Sequence, residues 1–318
     1  MISFLIPTCN FDCSTLVKTI WRQADALQKK TNNSFRFEII VSDDASDNTN
    51  ILASLENKTA GLSYVSILKQ EKRLGRAANR NALISASTMP WKVFMDADAE
   101  VYATNFVERY WEARNLADVV CGSLLPSEPQ KGCELRYKYE KNASKNFSVE
   151  RRNKHPHARF TVFNVMMSEK TTEKVRFDEN CKGYGHEDTL FGMMLRDSGL
   201  TVVHIDNPLI HTGIDSNEEF LSKTEEALKS LICLPQLTNV VGCSRIYLLF
   251  ERIYLAGMLR MSSRAFCPML RKNLLGRHPN LFLFDCYKLL FYSYLKKMEE
   301  NRLCQNRNLR ANNYISAT

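Results

Sequence analysis

Trp91-Lys92-Val93-Phe94-Met95 runs directly into Asp96-Ala97-Asp98. The first five residues read as a buried strand, and the acidic triplet stands at its C-terminal end. Side chains alternate along a strand, so Asp96 and Asp98 aim their carboxylates at one spot. Hard oxygen ligands of this kind hold Mg²⁺ or Mn²⁺, and such ions commonly hold a phosphate in turn. An acidic turn after a strand is more often a solvated loop. The triplet therefore takes its meaning from the segments around it.

Upstream, apolar strand-like runs alternate with helical stripes. Ser3–Ile6 reads as a short strand stopped by Pro7, followed by a helix from Asp12 or Ser14 with Leu16, Val17, Ile20 and Ala24 on one face. Phe37–Val41 is a second strand, and Ser46 or Asp47 is placed to cap the helix carrying Ile51, Leu52 and Leu55. Tyr64–Leu68 is a third strand, with a helix from Arg76 to Ser87 behind it. Strands separated by helices imply an α/β fold whose parallel sheet is covered on both faces, with ligands bound beyond the C-terminal strand edge. Thr8, Asp43, Asp44, Asp96 and Asp98 all follow such edges. Val119–Cys121, Phe160–Phe163 and Thr201–Ile205 read as later strands, and residues 132–155 as a polar helix and loop. His204 lies inside an apolar run and reads as a core histidine. After residue 215 strand signals end and helices take over.

With 44% hydrophobic and 25% charged residues the chain is of globular composition. Its 10 cysteines show no Cys-x-x-Cys pair, which argues against zinc and for reduced thiols in a cytoplasmic protein. No signal peptide is read at the N-terminus, and no apolar run is long enough to span a membrane. Residues 241–318 carry 13 Lys/Arg and 4 Asp/Glu, a net of +9, whereas the whole chain is +8. A basic segment behind a near-neutral domain points to an anionic surface as partner. The aromatic stretch 281–295, flanked by Arg277 and Lys296-Lys297, is expected either to lie on the inner face of a membrane or to pack as an ordinary helix.

In this order, Ile6-Pro7-Thr8-Cys9-Asn10, Glu38 through Asp47, Leu74 through Asn81, Val93 through Asp98, Phe177-Asp178-Glu179, Gly185-His186-Glu187-Asp188 and His211 resemble the family-2 glycosyltransferases of GT-A fold. The resemblance covers residues 1–215 as a catalytic domain and leaves 216–318 as a basic helical extension. It implies a Rossmann-like nucleotide-diphospho-sugar transferase sheet and an inverting transfer of a hexosyl or hexosaminyl group. The donor is a nucleotide sugar, UDP-linked by family preference, and the acceptor is a glycan or a lipid-linked hydroxyl. It also implies the roles of the residues. Asp98 is a direct ligand of Mn²⁺ or Mg²⁺, Asp96 touches the ribose or the ion, and His211 is a further metal ligand. Thr8 and Asp44, with Asp43 beside them, contact the nucleotide base. Asp188 removes the acceptor proton and Glu187 orients the acceptor. A helix start would keep the Asp188 carboxylate ionised. Gly75 opens the helix from which Arg80 reaches the base or the diphosphate, and Gly183 and Gly185 let the backbone approach the sugar. Gly75-Arg76 is not a phosphate loop, since the Walker lysine and Gly-x-Gly-x-x-Gly are missing. A sugar-nucleotide nucleotidyltransferase or a non-catalytic binding protein on the same sheet are the alternatives. The expected partners include peripheral membrane contact through 241–302 and no nucleic acid, with the oligomeric state open.

Overall fold

Strand β1 (Ile2–Thr8) is buried along almost its whole length because it has a neighbour on each side and helices on both faces. It pairs in parallel with β2 (Phe37–Asp43) and with β4 (Trp91–Met95), and β2 pairs in parallel with β3 (Val65–Lys69). The remaining strands are β5 (Ala99–Glu100), β6 (Val119–Pro126), β7 (Asn164–Ser168) and β8 (Val202–His211). They complete an 8-stranded sheet of order β3-β2-β1-β4-β7-β6-β8-β5. This computed structural model describes residues 1–179, 185–234, 237, 241–252 and 255–315. The expected parallel sheet is therefore mixed: β7 runs antiparallel to both β4 and β6, and β5 antiparallel to β8. α/β it remains, with the first 95 residues supplying four parallel strands.

Alternation assigns each side chain to a face. Phe4, Ile6, Ile39, Val41, Val93 and Met95 enter one apolar cluster with helices α1 (Ser14–Lys30) and α4 (Phe106–Ala113). Leu5, Ile40 and Phe94 enter the other, with α3 (Arg76–Ala86) and α8 (Glu187–Asp197). Helix α1 buries Leu16, Val17, Ile20, Ala24 and Leu27, the stripe read from its periodicity.

Three local readings change. Pro7 does not end β1, which continues to Thr8. The β1–β4 ladder stops at Leu5 opposite Phe94, and Thr8 accepts from Asp44 on the β2 side, so Pro7 faces the side where no ladder partner needs its missing N–H. Helix α2 (Thr49–Thr59) is capped by Asn48 rather than by Ser46 or Asp47. Ser46 is tied to Asp43, and Asp47 to Asn10 and Arg73. Residues 160–163 are not a strand; the strand is β7, four residues further on. The polar stretch 132–155 holds two helices, α5 (Glu134–Asn146) and α6 (Val149–Asn153), and α7 (Glu169–Lys174) follows β7.

The chain divides into two compact units. One comprises 1–128, 139–182 and 187–214, and the other 129–138, 183–186 and 215–318. The second is built on α9 (Asn217–Ile232), α10 (Gly242–Arg252), α11 (Ala256–Leu274) and α12 (Leu281–Ile315). A capping box between Ser216 and Glu219 starts α9. Leu135, Phe220, Leu221, Leu270, Leu274, Phe284 and Tyr287 form its core. The aromatic stretch, expected either to lie on a membrane or to pack as an ordinary helix, is mostly turned inward: Phe284, Tyr287 and Tyr292 are buried and Phe291 packs against the same core. Among the described residues no helix is long and apolar enough to cross a membrane.

Candidate active site

Parallel strands end on one rim, and Thr8 lies in register with Asp43 at that rim. Thr8, Asp44, Arg80, Asp96 and Asp98 line a cleft of about 270 Å³ there, together with Asn79 and the exposed Arg76. The carboxylates in and beside this cleft do different work.

Asp43 and Asp44 hold the cleft's edge. The Asp43 carboxylate accepts from the Ser46 hydroxyl and, at 3.0 Å, from the Ser46 N–H, so it closes its own turn. Asp44 accepts from Leu74 N–H at 2.6 Å and Gly75 N–H at 3.0 Å. Gly75 has φ 89° and precedes α3, a backbone state that a side chain would strain. The Thr8 hydroxyl donates to Phe11 O at 2.8 Å. Asn79, buried next to Arg80 on α3, accepts from the Ser42 hydroxyl at 2.5 Å.

Arg80 is buried, and one of its terminal nitrogens donates to Asp96 Oδ1 at 3.0 Å. Among the described residues its Nε and other terminal nitrogen have no hydrogen-bond partner. Burial works against its charge, and Asp96, Asp188 and Glu187 outweigh that, so the guanidinium is held protonated even more firmly than usual. One cation thus feels carboxylates contributed by a strand end and by a helix start more than 90 residues further along the chain.

Asp188 lies in the first turn of α8, as read from the sequence. Its Oδ2 accepts from the Thr161 hydroxyl at 2.9 Å and from Val162 N–H at 3.2 Å. Burial pushes its pKa up to about 6; Arg80 opposes the rise, and Glu187 and Asp96 add to it. Burial thus outweighs the pull of Arg80, and the group becomes a stronger base that is still mostly ionised at neutral pH. Glu187 reaches Arg76 only weakly, at 3.5 Å.

Asp98 faces His211. Strand β5 pairs antiparallel with β8 so that Ala99 is opposite His211, and Thr212 donates both its N–H (2.8 Å) and its hydroxyl (2.7 Å) to Asp98 O. This register leaves His211 Nε2 3.1 Å from Asp98 Oδ2. His211 Nδ1 lies 2.8 Å from Oε1 of the buried Glu140 on α5. Burial opposes a charged imidazole, but hydrogen bonds to Asp98 and Glu140 prevail and raise its pKa to about 9. A Cβ on Gly213 would come within 2.5 Å of Asp98 Oδ2, so only glycine leaves room for that carboxylate.

Asp98 and His211 fit a divalent ion. Their 3.1 Å separation is the edge shared by ligands at right angles on an octahedral ion with bonds of about 2.1 Å. One carboxylate oxygen and one imidazole nitrogen suit Mn²⁺, and Glu140 orients the imidazole as partners behind metal-bound histidines do. Among the described residues no group of three or more His, Cys, Asp or Glu side chains encloses a metal by itself.

Residues 3–175 match the family model of glycosyl transferase family 2. The chain belongs to this family. Among solved structures, this family-2 glycosyltransferase is similar to the mannosyltransferase PcManGT of Pyrobaculum calidifontis, a complex with GDP-Man and Mn²⁺. The TM-score is 0.57 at 13% identity, over 94% of this chain and 86% of that one. It is also similar to S. aureus TarS, with TM-score 0.47 and 17% identity over 70% of this chain. The match spans only 38% of TarS. TarS 1–349 in complex with UDP-GlcNAc gives 0.48 at 12% identity, covering 94% and 92% of the two chains. At such identities the likeness is one of fold, and the fold is GT-A. No curated protein sequence matches the chain.

Several features of the site had no sequence signal. Glu140 lies 71 residues before its partner His211 in a polar, basic helix. Thr161 and Val162 looked like strand, yet their donors serve Asp188. Gly213 follows the expected histidine, and only the packing shows why it is glycine. Conversely, Gly185 (φ 98°) leaves its space to Ala227, whose Cβ a side chain would meet at 2.5 Å. Gly183 lies outside the described residues. His204 is the core histidine expected: buried, between Arg152 and Pro156 O, with its pKa lowered to about 4 by burial.

Proposed function

We propose that the chain is an inverting glycosyltransferase that moves a hexosyl or hexosaminyl group from a nucleotide-diphosphate sugar, UDP-linked, to a hydroxyl of a glycan or lipid-linked acceptor in polysaccharide or glycoconjugate assembly at the cytoplasmic side of a membrane. The observation that carries the reading is the half-buried Asp188, held by Thr161 and Val162 and with a raised pKa, sharing the field of Arg80 with Asp96 at the rim where Asp98 and His211 converge.

Thr8 and Asp44 receive the base, with Asp43 and Gly75 fixing the loop that carries them. Each Asp44 oxygen has a second lone pair, free to accept the imide N–H of uracil. Asp96 contacts the ribose or the ion while Arg80 keeps the cluster of acids from repelling the donor. Asp98 and His211 would hold Mn²⁺ or Mg²⁺. The ion supplies neutralising charge for the departing diphosphate. Glu187 orients the acceptor. Asp188 Oδ takes the proton of the acceptor hydroxyl as that oxygen attacks the anomeric carbon from the face opposite the nucleotide, which inverts the centre. Thr161 and Val162 hold the carboxylate in place for that transfer.

A panel of UDP- and GDP-sugars tested by thermal shift and by nucleotide release, with and without Mn²⁺, tests the reading. Metal-dependent stabilisation by one donor and release of its nucleoside diphosphate are expected. Absence of donor binding across the panel removes it.

A further inference from the structure

Helix α11 carries an uncovered face of a particular chemistry. Met258, Met261, Ala265 and Met269 recur at helical spacing and are exposed, with Met258, Met261 and Met269 at 63%, 78% and 61%. Ser263, Leu270 and Leu274 on the opposite side are buried. Arg264 and Lys272 stand among the methionines, both exposed. The helix, Ala256–Leu274, has no Asp or Glu. Helix α10 shows a similar stripe of Arg245, Ile246, Leu249 and Arg252, again exposed.

The basic residues divide into two kinds. Arg260 and Arg271 are tied to Glu300 and Glu225 within the second unit. Among the described residues Arg245, Arg252, Arg264, Lys272 and Arg277 have no such partner. Charge that is uncompensated, combined with apolar side chains left in water, points to a surface that is anionic and apolar at once. A second copy of the chain would set cations against cations. A nucleic acid would meet the phosphate-binding charges but leave the methionines without apolar cover.

We propose that the α10–α11 face docks on an anionic lipid bilayer, with its methionines at the headgroup–acyl boundary and Arg245, Arg252, Arg264 and Lys272 on the lipid headgroups. The docking site is α11 and α10, not the aromatic stretch of α12, whose Phe284, Tyr287 and Phe291 are packed inward although Phe282 is exposed. It is independent of the donor site.

Flotation of the full chain with phosphatidylcholine vesicles, with and without phosphatidylglycerol, tests this. Binding to the anionic vesicles alone is expected, weakening with added salt. R264Q with K272Q lowers the partition roughly 25-fold, about fivefold for each charge removed. M261E with M269E abolishes it, while the thermal shift given by nucleotide and Mn²⁺ is unchanged. Lack of wild-type binding to anionic vesicles, or equal binding by wild type and M261E/M269E, overturns the proposal. So does a concentration-dependent dimer in ultracentrifugation that the methionine substitutions dissolve, or tighter binding to RNA than to vesicles that R264Q/K272Q alone abolishes.

Discussion

Glu140 Oε1 lies 2.8 Å from His211 Nδ1, and both side chains are buried. A histidine held in this way presents Nε2 toward Asp98 in a single orientation. Loss of such an orienting carboxylate typically weakens metal binding about 10- to 100-fold. Glu140→Gln is expected to lower Mn²⁺ affinity by this factor, measured by electron paramagnetic resonance of free Mn²⁺, while Asp98→Asn gives a larger loss. Equal affinities of Glu140→Gln and wild type would show that the contact only fills space.

The same contact predicts a pH dependence in metal-free protein. The folded pKa of His211 is raised to about 9, above its unfolded value of 6.5. The stabilisation is therefore complete below pH 6.5 and is lost as pH rises through 9. Chemical denaturation across that window should show the decline in wild type and a smaller one in Glu140→Gln. Mn²⁺ must displace the same proton, so its affinity should increase over the same range.

Asp188→Asn is expected to abolish transfer and leave donor binding within a few-fold, checked by product formation and by calorimetric titration of the nucleotide. The folded pKa of Asp188 is raised from 3.8 to about 6, so its ionised form is disfavoured in the folded chain. The corresponding stability is present below pH 3.8 and is lost as pH rises through 6. At pH above this window the asparagine variant should melt higher than wild type, by roughly 2–4 °C for each 1 kcal/mol relieved. A lower melting temperature would mean that burial of the charge is not the dominant influence on this group.

Gly213→Ala places a methyl group within 2.5 Å of Asp98 Oδ2 and 2.8 Å of its Cβ. Overpacking of this kind costs about 1–3 kcal/mol. The expected result is a displaced Asp98 with Mn²⁺ affinity reduced at least as far as in Glu140→Gln, while nucleotide alone binds as before.

Asp44→Ala frees the Leu74 and Gly75 N–H groups that its carboxylate now receives. Nucleotide binding should weaken by tenfold or more through the loosened loop, and Asp44→Asn, able to accept from only one of the pair at a time with its carbonyl, should fall between. Hydrogen exchange at residues 74 and 75 reports the loop directly.

The alternation of apolar runs and helical stripes through Met95 was enough to name β1 to β4, the helices between them and the rim carrying Thr8, Asp43, Asp44 and Asp96. That is local information: period 2 against period 3.6, with polar residues where the strands stop. Asp188 and His211 were reached through an ordered set of motifs rather than through periodicity. Their environments were not legible. A desolvated carboxylate and a carboxylate at a helix start look alike in one dimension, so the rise of the Asp188 pKa with burial had no sequence signal. Only the antiparallel insertion of β7, and the pairing of Ala99 with His211, decide which distant side chains meet. Glu140 beside His211, Thr161 beside Asp188 and the space kept by Gly213 for Asp98 are contacts across 71, 27 and 115 residues of chain. No residue's own chemistry encodes such a partner; it exists because strands far apart in order are forced side by side to satisfy their backbone hydrogen bonds.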